Sequence, residues 1–194
     1  MGVTGLLALL KDFASCKVDL NDGMGTIVVD GHASMHRAAA KGHVAKALAL
    51  DNEVTDLVLG MAHELRLFEE AGWNITVVFD GATPPSKAGT SDDRSLRRST
   101  ALEQCLKLQA QNAVDETQVE RYAKQAVAFT PQIVARVSKM LKHVLRGDCF
   151  TAPFEADPQL VVMEEFYSRS REGRCFVRGN DSDLVVLGVR SLLW

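Results

Sequence analysis

The chain has 194 residues, of which 46% are hydrophobic and 24% are charged, and its formal net charge is −3. These values are typical of one folded domain with a substantial core, and they argue against intrinsic disorder. No apolar run approaches the ~20 residues that a membrane helix needs, and the N-terminus lacks the basic region of a signal peptide. We therefore expect no contact with a membrane.

The charges are unevenly distributed along the chain. The stretch from Lys87 to Arg146 carries eleven Lys and Arg against six Asp and Glu, a net charge of +5, and the rest of the chain carries −8. A basic segment in an acidic chain indicates either a contact with a polyanion beside an acidic site or a set of solvated helix faces.

Four cysteines are scattered without a Cys-x-x-Cys pair. This spacing favours reduced core cysteines and argues against structural zinc.

Two short β-branched runs in the first half each precede an aspartate. Residues 26–29 predict a buried strand that ends at Asp30, and residues 75–79 predict a second strand that ends at Asp80. Between them, apolar residues at helical spacing predict a helix over 54–68.

The middle of the chain is polar and rich in helix-forming residues. Residues 81–89 contain two prolines and predict a loop or a sharp entry into a helix. Residues 91–128 have few large apolar side chains, so we expect this helical segment to project from the body. Thr130 and Pro131 resemble a helix cap and first turn, and an amphipathic helix should follow to about residue 145.

The last quarter alternates strands and helices. Residues 149–151 and 175–177 predict strands, residues 155–168 predict a helix, and residues 184–187 fit either a strand or a buried helix. The whole order indicates an α/β fold with a mainly parallel sheet flanked by helices.

Acidic residues follow all four predicted strands. The carboxyl ends of parallel strands meet at one edge of a sheet, so these side chains should converge. Clustered carboxylates raise each other's pKa unless cations neutralise them, and all-oxygen sites select hard cations such as Mg²⁺ or Mn²⁺. Two such ions ~4 Å apart suit hydrolysis of a phosphodiester. The candidate ligands are Asp30, Asp80, Glu155, Asp157, Asp181 and Asp183.

Spacing sets conditions on the two acidic pairs. Asp181 and Asp183 point the same way only if the backbone there is extended. Glu155 and Asp157 would diverge by ~200° on a regular helix, so they must lie on a cap turn, or one must act through water. Any single aspartate alone is more often a helix cap than a ligand; acids at four strand ends favour a metal site.

Lys87 and Arg94 are candidates for holding a phosphate. Seven residues apart, they share one face if the helix is continuous, and they would then offset charge that develops on a phosphate beside Asp80. Gly89 and the cap-like residues 91–93 indicate instead that the helix begins after Lys87. Two solvated basic residues are the plain alternative.

Five segments of the chain together resemble a known family. They are MGVTGLL at 1–7, VVDG at 28–31 with MHR at 35–37, VVFDGATPPSK at 77–87, APFEADPQL at 152–160 and NDSDL at 180–184. In this order they resemble the XPG-type 5′ nucleases, which include flap endonucleases and a mismatch-repair 5′-to-3′ exonuclease. The segments at 83–87 and 154–160 are most similar to the exonuclease branch.

The resemblance implies an organisation and an activity. It implies a single PIN-like nuclease core over 1–194, with an N-terminal block at 1–98, a helical arch at about 88–130 and an internal block at about 131–194. It further implies two Mg²⁺ ions, with Mn²⁺ as a substitute, and hydrolysis of DNA at free 5′ ends, flaps or nicks. A monomer in the nucleus is expected.

The resemblance also implies residue roles. The six acids match metal ligands, with Asp80 and Asp181 also counted as catalytic, and Lys87 and Arg94 match the pair that steers the scissile phosphate. The residues expected at the DNA are Gly2, His36, Lys87, Arg94, Arg97 and Arg98.

Three features depart from the family pattern. His32 stands where the exonuclease branch has an aromatic residue, so base stacking there is in doubt. Gly89 and the acidic pair at 92–93 weaken the basic first arch helix. The family continues beyond the position of Trp194 into a further metal-binding aspartate and a helix–two-turn–helix element.

These observations leave several hypotheses. The leading one is a metal-dependent 5′ nuclease in DNA repair or replication, and the alternative is a truncated protein that binds DNA ends or flaps without cutting. An RNA-cleaving PIN-type domain shares the acidic edge but not the segment at 83–87. A phosphatase of the Asp-x-Asp type is disfavoured, because His32 occupies the position of the second acid.

Overall fold

The computed structural model describes residues 25–110, 115–169, 174–181 and 183–193. Within them lies a five-stranded sheet in the order β3–β2–β1–β4–β5, in which every neighbouring pair is parallel. The strands are β1 (Thr26–Asp30), β2 (Asn74–Phe79), β3 (Asp148–Thr151), β4 (Cys175–Arg178) and β5 (Leu192–Leu193). The predicted parallel α/β fold is confirmed.

Helices connect the strands. None of the described helices is both long and apolar enough to span a membrane. They are α1 (Gly31–Ala39), α2 (Gly42–Asp51), α3 (Thr55–Glu70), a 3₁₀ turn at Pro85–Lys87, α4 (Ala88–Gln109), α5 (Glu116–Ala126), α6 (Pro131–Val144), α7 (Ala156–Ser168) and the short α8 (Asp183–Val186). The undecided segment at 184–187 is thus mainly helical.

The central strands β1 and β2 are buried on both faces, which explains why they are rich in consecutive apolar residues. Ile27 and Val29 of β1 face a large core built with α1, α2, α3, α5 and α6, whereas Val28 faces a smaller core built with α7 and α8. This alternation follows from the two-residue repeat of a strand. Burying each such side chain stabilises the fold by about 1.5–3 kcal/mol relative to its exposed state.

The strand order reverses at β1. The chain runs outward from β1 to β2 and β3, then returns to add β4 on the other side of β1. Ligand sites of open α/β sheets lie at the carboxyl ends of strands where such a reversal occurs. The ends of β1, β2 and β4 are therefore the first place to look for a site.

The prediction that residues 91–128 project from the body holds for only half of the segment. The first half of α4 is exposed, and Leu96 is 68% accessible. The second half packs with α5 into the large core, where Cys105, Val119 and Ala123 are fully buried. The prediction was wrong for this second half for two reasons. Small apolar residues are enough for close packing between helices, and the prediction did not include α2 as a packing partner.

Candidate functional site

Two aspartates are held by the ends of neighbouring strands. Asp30 is the last residue of β1 and caps α1: its Oδ1 accepts a hydrogen bond of 2.9 Å from the N–H of Ala33. Asp80 directly follows β2, and its Oδ1 accepts a 2.7 Å hydrogen bond from the N–H of Ala156, at the start of α7. Both carboxylates are thus fixed by N–H groups that a helix start leaves unpaired.

Glu155 and Asp157 lie on a helix cap turn, which is one of the two arrangements predicted from their spacing. Glu155 is the N-cap residue of α7, and Asp157 is in its first turn. The backbone of the preceding loop is tied to the end of β2, because the N–H of Gly81 donates a 2.5 Å hydrogen bond to the carbonyl of Phe154. This link brings Glu155 beside Asp80.

The condition set for Asp181 and Asp183 was an extended backbone, and the structure does not have it. The N–H of Asp183 donates a 3.0 Å hydrogen bond to Oδ1 of Asp181, and Asp183 begins α8. A short helix therefore begins at Asp183, where the prediction required extended chain.

The electrostatics show that the acids share one region. Burial, followed by the charges of Asp30, Asp181, Asp80 and Glu155, raises the pKa of Asp157 to about 6. Burial also raises the pKa of Asp30 against the opposing hydrogen bond from Ala33, and the charge of Asp80 adds to the rise. We call Asp30, Asp80, Glu155, Asp157, Asp181 and Asp183 the carboxylate edge.

A cavity of about 870 Å³ opens between this edge, α1, α6 and the start of α4. It brings acidic, basic and aromatic side chains together, an arrangement that suits a charged ligand with an aromatic part. Its lining includes Asp80, Glu155, Asp183, Lys87, Arg94, Arg98, His32, His36, Phe129 and Phe154.

Lys87 and Arg94 both line the cavity, although the continuous helix on which their spacing argument depended does not include Lys87. Lys87 ends the 3₁₀ turn and α4 begins at Ala88, so the helix does start after Lys87. Nζ of Lys87 forms an ion pair with Oε1 of Glu155, and this hydrogen bond raises the pKa of Lys87. The acidic and basic parts of the site are therefore already in contact.

The structure separates Arg97 from Arg98. Arg98 lines the cavity, whereas Arg97 lines a shallow hollow with Leu96 and Tyr122 on the face between α4 and α5. Adjacent residues on a helix point about 100° apart, so only one of them can face the site. Of the other residues expected at the DNA, His36 lines the cavity, and Gly2 lies outside the described residues.

His32, where the family has an aromatic residue, contacts the carboxylate edge. Its Nδ1 accepts a 3.1 Å hydrogen bond from the N–H of Asp80 and lies 3.3 Å from Oδ2 of the same residue. The ring also meets Phe79 and Phe129 edge-on, with centroids 6.2 and 6.1 Å apart. His32 is therefore engaged with Asp80 at the end of β2.

Sequence reasoning missed Phe129. It stands alone between α5 and α6, with no pattern to mark it, yet its ring lies 4.8 Å from that of His36 and lines the cavity.

Sequence reasoning also missed an ion-pair network behind the site. Arg178, the last residue of β4, donates from Nε to Glu64 of α3 at 2.8 Å, and Arg37 of α1 lies 3.2 Å from the same carboxylate. The network ties β4, just before the loop that carries Asp181, to the helices of the large core.

The donor set fits a hard divalent cation. Every candidate ligand is a carboxylate oxygen, and mutual repulsion is among the causes that raise the pKa of Asp157. In the described part of the chain, no group of three or more His, Cys, Asp and Glu side chains is positioned to hold an ion in this conformation. Instead, Asp30, Asp80 and Asp181 cap helices and Glu155 pairs with Lys87.

Comparisons with known proteins agree with the motif order. Exodeoxyribonuclease 1 of Schizosaccharomyces pombe is 31% identical over 196 residues, covering all of this chain and 32% of that protein. Flap endonuclease 1 of Drosophila grimshawi is 28% identical over 202 residues, covering all of this chain and 49% of that protein. The chain thus spans about a third to a half of the length of these relatives.

The fold agrees as well. The catalytic core of Rad2, solved in complex with DNA substrate, superposes with TM-scores of 0.58 and 0.60 in two complexes at 17% identity. The match covers 98% of this chain and 48% of the Rad2 chain. The XPG N-terminal domain matches residues 1–101, over half of the chain. The chain belongs to the XPG family.

Proposed function

We propose that the chain is a metal-dependent nuclease that hydrolyses DNA phosphodiester bonds at 5′ ends or flaps, in DNA repair or replication. The observation that carries this proposal is the carboxylate edge facing Lys87, Arg94 and Arg98 across one cavity. The relatives named exodeoxyribonuclease 1 and flap endonuclease 1, and the Rad2 core in complex with DNA substrate, support the same reaction class.

The carboxylate edge would hold the metal, which we propose is Mg²⁺, as two ions, with Mn²⁺ as a substitute. Bound there, divalent ions activate a water and stabilise the leaving oxygen of a phosphodiester. Glu155 is paired with Lys87 through Oε1 in this conformation, and its second carboxylate oxygen would remain available to a metal. Lys87 would leave that pair to reach a phosphate.

The basic side chains have a separate task. Once released from Glu155, Lys87 is free to bind the scissile phosphate, and Arg94 approaches it from the same cavity. Both would offset charge that builds up on the phosphate oxygens, so they act mainly at the transition state. His32 supports them by holding the end of β2, through its hydrogen bond with the N–H of Asp80.

Three further points belong to the proposal. The DNA partner has free 5′ ends, flaps or nicks. The chain acts as a monomer. It works in the nucleus, as the family resemblance implies.

The proposal is tested with 5′-labelled flap and recessed-end duplexes incubated with Mg²⁺. We expect cleavage that disappears in EDTA and in the double variant Asp80→Ala with Asp181→Ala. Single nucleotides released from recessed ends indicate an exonuclease, and longer fragments released from flaps indicate an endonuclease. Circular dichroism of the double variant checks that it is folded, because Asp80 also caps α7.

Wild-type activity in the folded double variant would refute the role of the carboxylate edge. DNA binding without any product, at high protein concentration and with either metal, would leave the alternative of a protein that binds DNA ends without cutting. Preference for RNA of the same shape would favour a PIN-type ribonuclease.

A further inference from the structure

Phe129 occupies a central position on one wall of the cavity. It lies between α5 and α6, is half-buried, and packs at its inner side against the large core. Its ring meets His36 edge-on at 4.8 Å and His32 edge-on at 6.1 Å. Three rings thus form one continuous aromatic wall, and the central ring is held by both neighbours.

This wall joins the basic and the acidic parts of the site. At one end, His36 and Arg98 line the same cavity. At the other end, His32 contacts the backbone and carboxylate of Asp80. A nucleotide whose phosphate lies between these charged groups has its base within reach of Phe129.

The two histidines are less suited to receive that base. His32 is only 20% exposed at its side chain and is held by Asp80, and His36 shares the cavity with the cationic Arg98. Single-stranded nucleic acids are bound by a basic groove combined with aromatic rings, on which bases of any sequence stack. Phe129 is the purely apolar ring in this wall, and it packs against the large core.

We propose that Phe129 is a stacking platform for one nucleobase of the bound DNA strand, next to the scissile phosphate. The inference rests on the proposed function, since it needs DNA in the cavity. It adds a residue that contacts the substrate through the base and has no part in holding the phosphate.

The test measures whether the ring and a base act together. The full chain is mixed with fluorescent 5′-flap duplexes in Ca²⁺, which takes the same oxygen ligands as Mg²⁺, and gels verify that the DNA stays intact. An abasic residue replaces each nucleotide around the flap junction in turn. We expect one position to weaken binding at least about fivefold in the wild type, because a stacked base contributes about 1–3 kcal/mol.

Phe129→Ala should bind the intact DNA at least about fivefold more weakly than the wild type does. The same abasic residue should not weaken the binding of this variant any further. In Phe129→Tyr the abasic residue should weaken binding as much as it does in the wild type. In Phe129→Leu it should not weaken binding, although leucine keeps most of the apolar volume. Phe166→Ala is the matched control, because Phe166 is an exposed phenylalanine on α7 that does not line the cavity. It should behave as the wild type.

Four outcomes overturn the inference. They are an abasic effect that persists in Phe129→Ala, an effect that persists in Phe129→Leu, the absence of any effect in the wild type, and an effect lost only in Phe154→Ala. The last would assign the platform to Phe154, which also lines the cavity and is 55% exposed. A wild-type chain that binds none of these duplexes would instead refute the proposed function, and this inference with it.

Discussion

The two charged regions of the site are built in different ways. On the carboxylate edge, Asp30, Asp80 and Asp181 each accept a backbone N–H at the start of a helix, so the fold itself holds them. Opposite them, Lys87 and Arg94 extend from the exposed start of α4 on long side chains, and Lys87 is 53% exposed. These three acids are held by backbone N–H groups, whereas Lys87 is held by one ion pair between side chains, with Glu155.

This difference has a consequence for mutagenesis. A change on the carboxylate edge affects stability as well as function, because the same side chain caps a helix and contributes to the site. A change on the exposed half of α4 leaves the core untouched and reports mainly on function. Mutations on the carboxylate edge and on α4 should therefore differ in their effects on stability and on activity.

The largest effect is expected from the cations. Lys87→Ala should lower kcat by about 100-fold while changing KM much less, because an interaction that strengthens in the transition state contributes mainly to turnover. Arg97→Ala is the matched control: it removes a cation of α4 that lies outside the cavity, and it should keep kcat within about threefold of the wild type. Thermal melting should hardly change in either variant.

An equal loss in both variants would mean that net charge, rather than placement in the cavity, matters for turnover. A loss in KM alone for Lys87→Ala would assign that residue to substrate binding before the reaction.

Two glycines give a second test, on stability. A Cβ on Gly81 would lie 1.9 Å from the carbonyl oxygen of Ala152, in the loop that is hydrogen-bonded to the end of β2. Gly81→Ala should therefore destabilise the fold by about 2 kcal/mol. Gly89 in α4 has nothing within 4 Å of such a Cβ, so Gly89→Ala should stabilise the helix by about 0.5–1 kcal/mol. Urea denaturation measures both. Equal effects of the two changes would contradict the division between a constrained edge and an open α4.

The third test concerns repulsion within the edge. Asp157→Asn removes one of five mutually repelling carboxylates. The metal-free variant should therefore be about 1 kcal/mol more stable than the wild type, because functional sites are commonly destabilised in favour of activity. The same variant should gain less from added Mg²⁺ than the wild type, because a ligand is lost. Thermal melts with and without Mg²⁺ measure both changes. A variant less stable than the wild type without metal would show that Asp157 is held by favourable contacts.

Sequence patterns predicted the positions of Asp30 and Asp80 at the ends of two strands, for a physical reason. A buried parallel strand needs continuous β-branched residues, and its carboxyl end is the place for ligands, so Asp30 and Asp80 stood out one residue after such runs. The cap turn at Glu155 was one of the two arrangements that the spacing of the two acids left open.

The side of a helix that a residue faces was harder to predict. Arg97 and Arg98 are chemically alike and adjacent, and only the orientation of α4 against α2 and α5 separates them. The extended chain required at Asp181 gave way to a helix start, and Phe129 had no local signal. All three depend on contacts between distant parts of the chain, which a one-dimensional pattern does not contain.

The smallest predicted effect concerns how α4 is held in place. Nζ of Lys46 in α2 lies 2.7 Å from Oε2 of Glu116 in α5, and Glu120 lies against Gly42 at the start of α2. Because the pair is exposed to solvent, Lys46→Glu or Glu116→Lys should cost at most about 1 kcal/mol of stability, and the double swap should restore it. Urea denaturation of the four proteins measures this coupling.

Nuclease activity should stay near the wild-type level in all of them, since the buried Cys105, Val119 and Ala123 hold the hairpin of α4 and α5 independently of the ion pair. A single swap that lowers kcat without lowering stability, with recovery in the double swap, would have a different meaning. In that case the surface ion pair would set the position of Lys87 and Arg94. The cations would then be as dependent on specific contacts as the acids are, and the difference between the two regions would disappear.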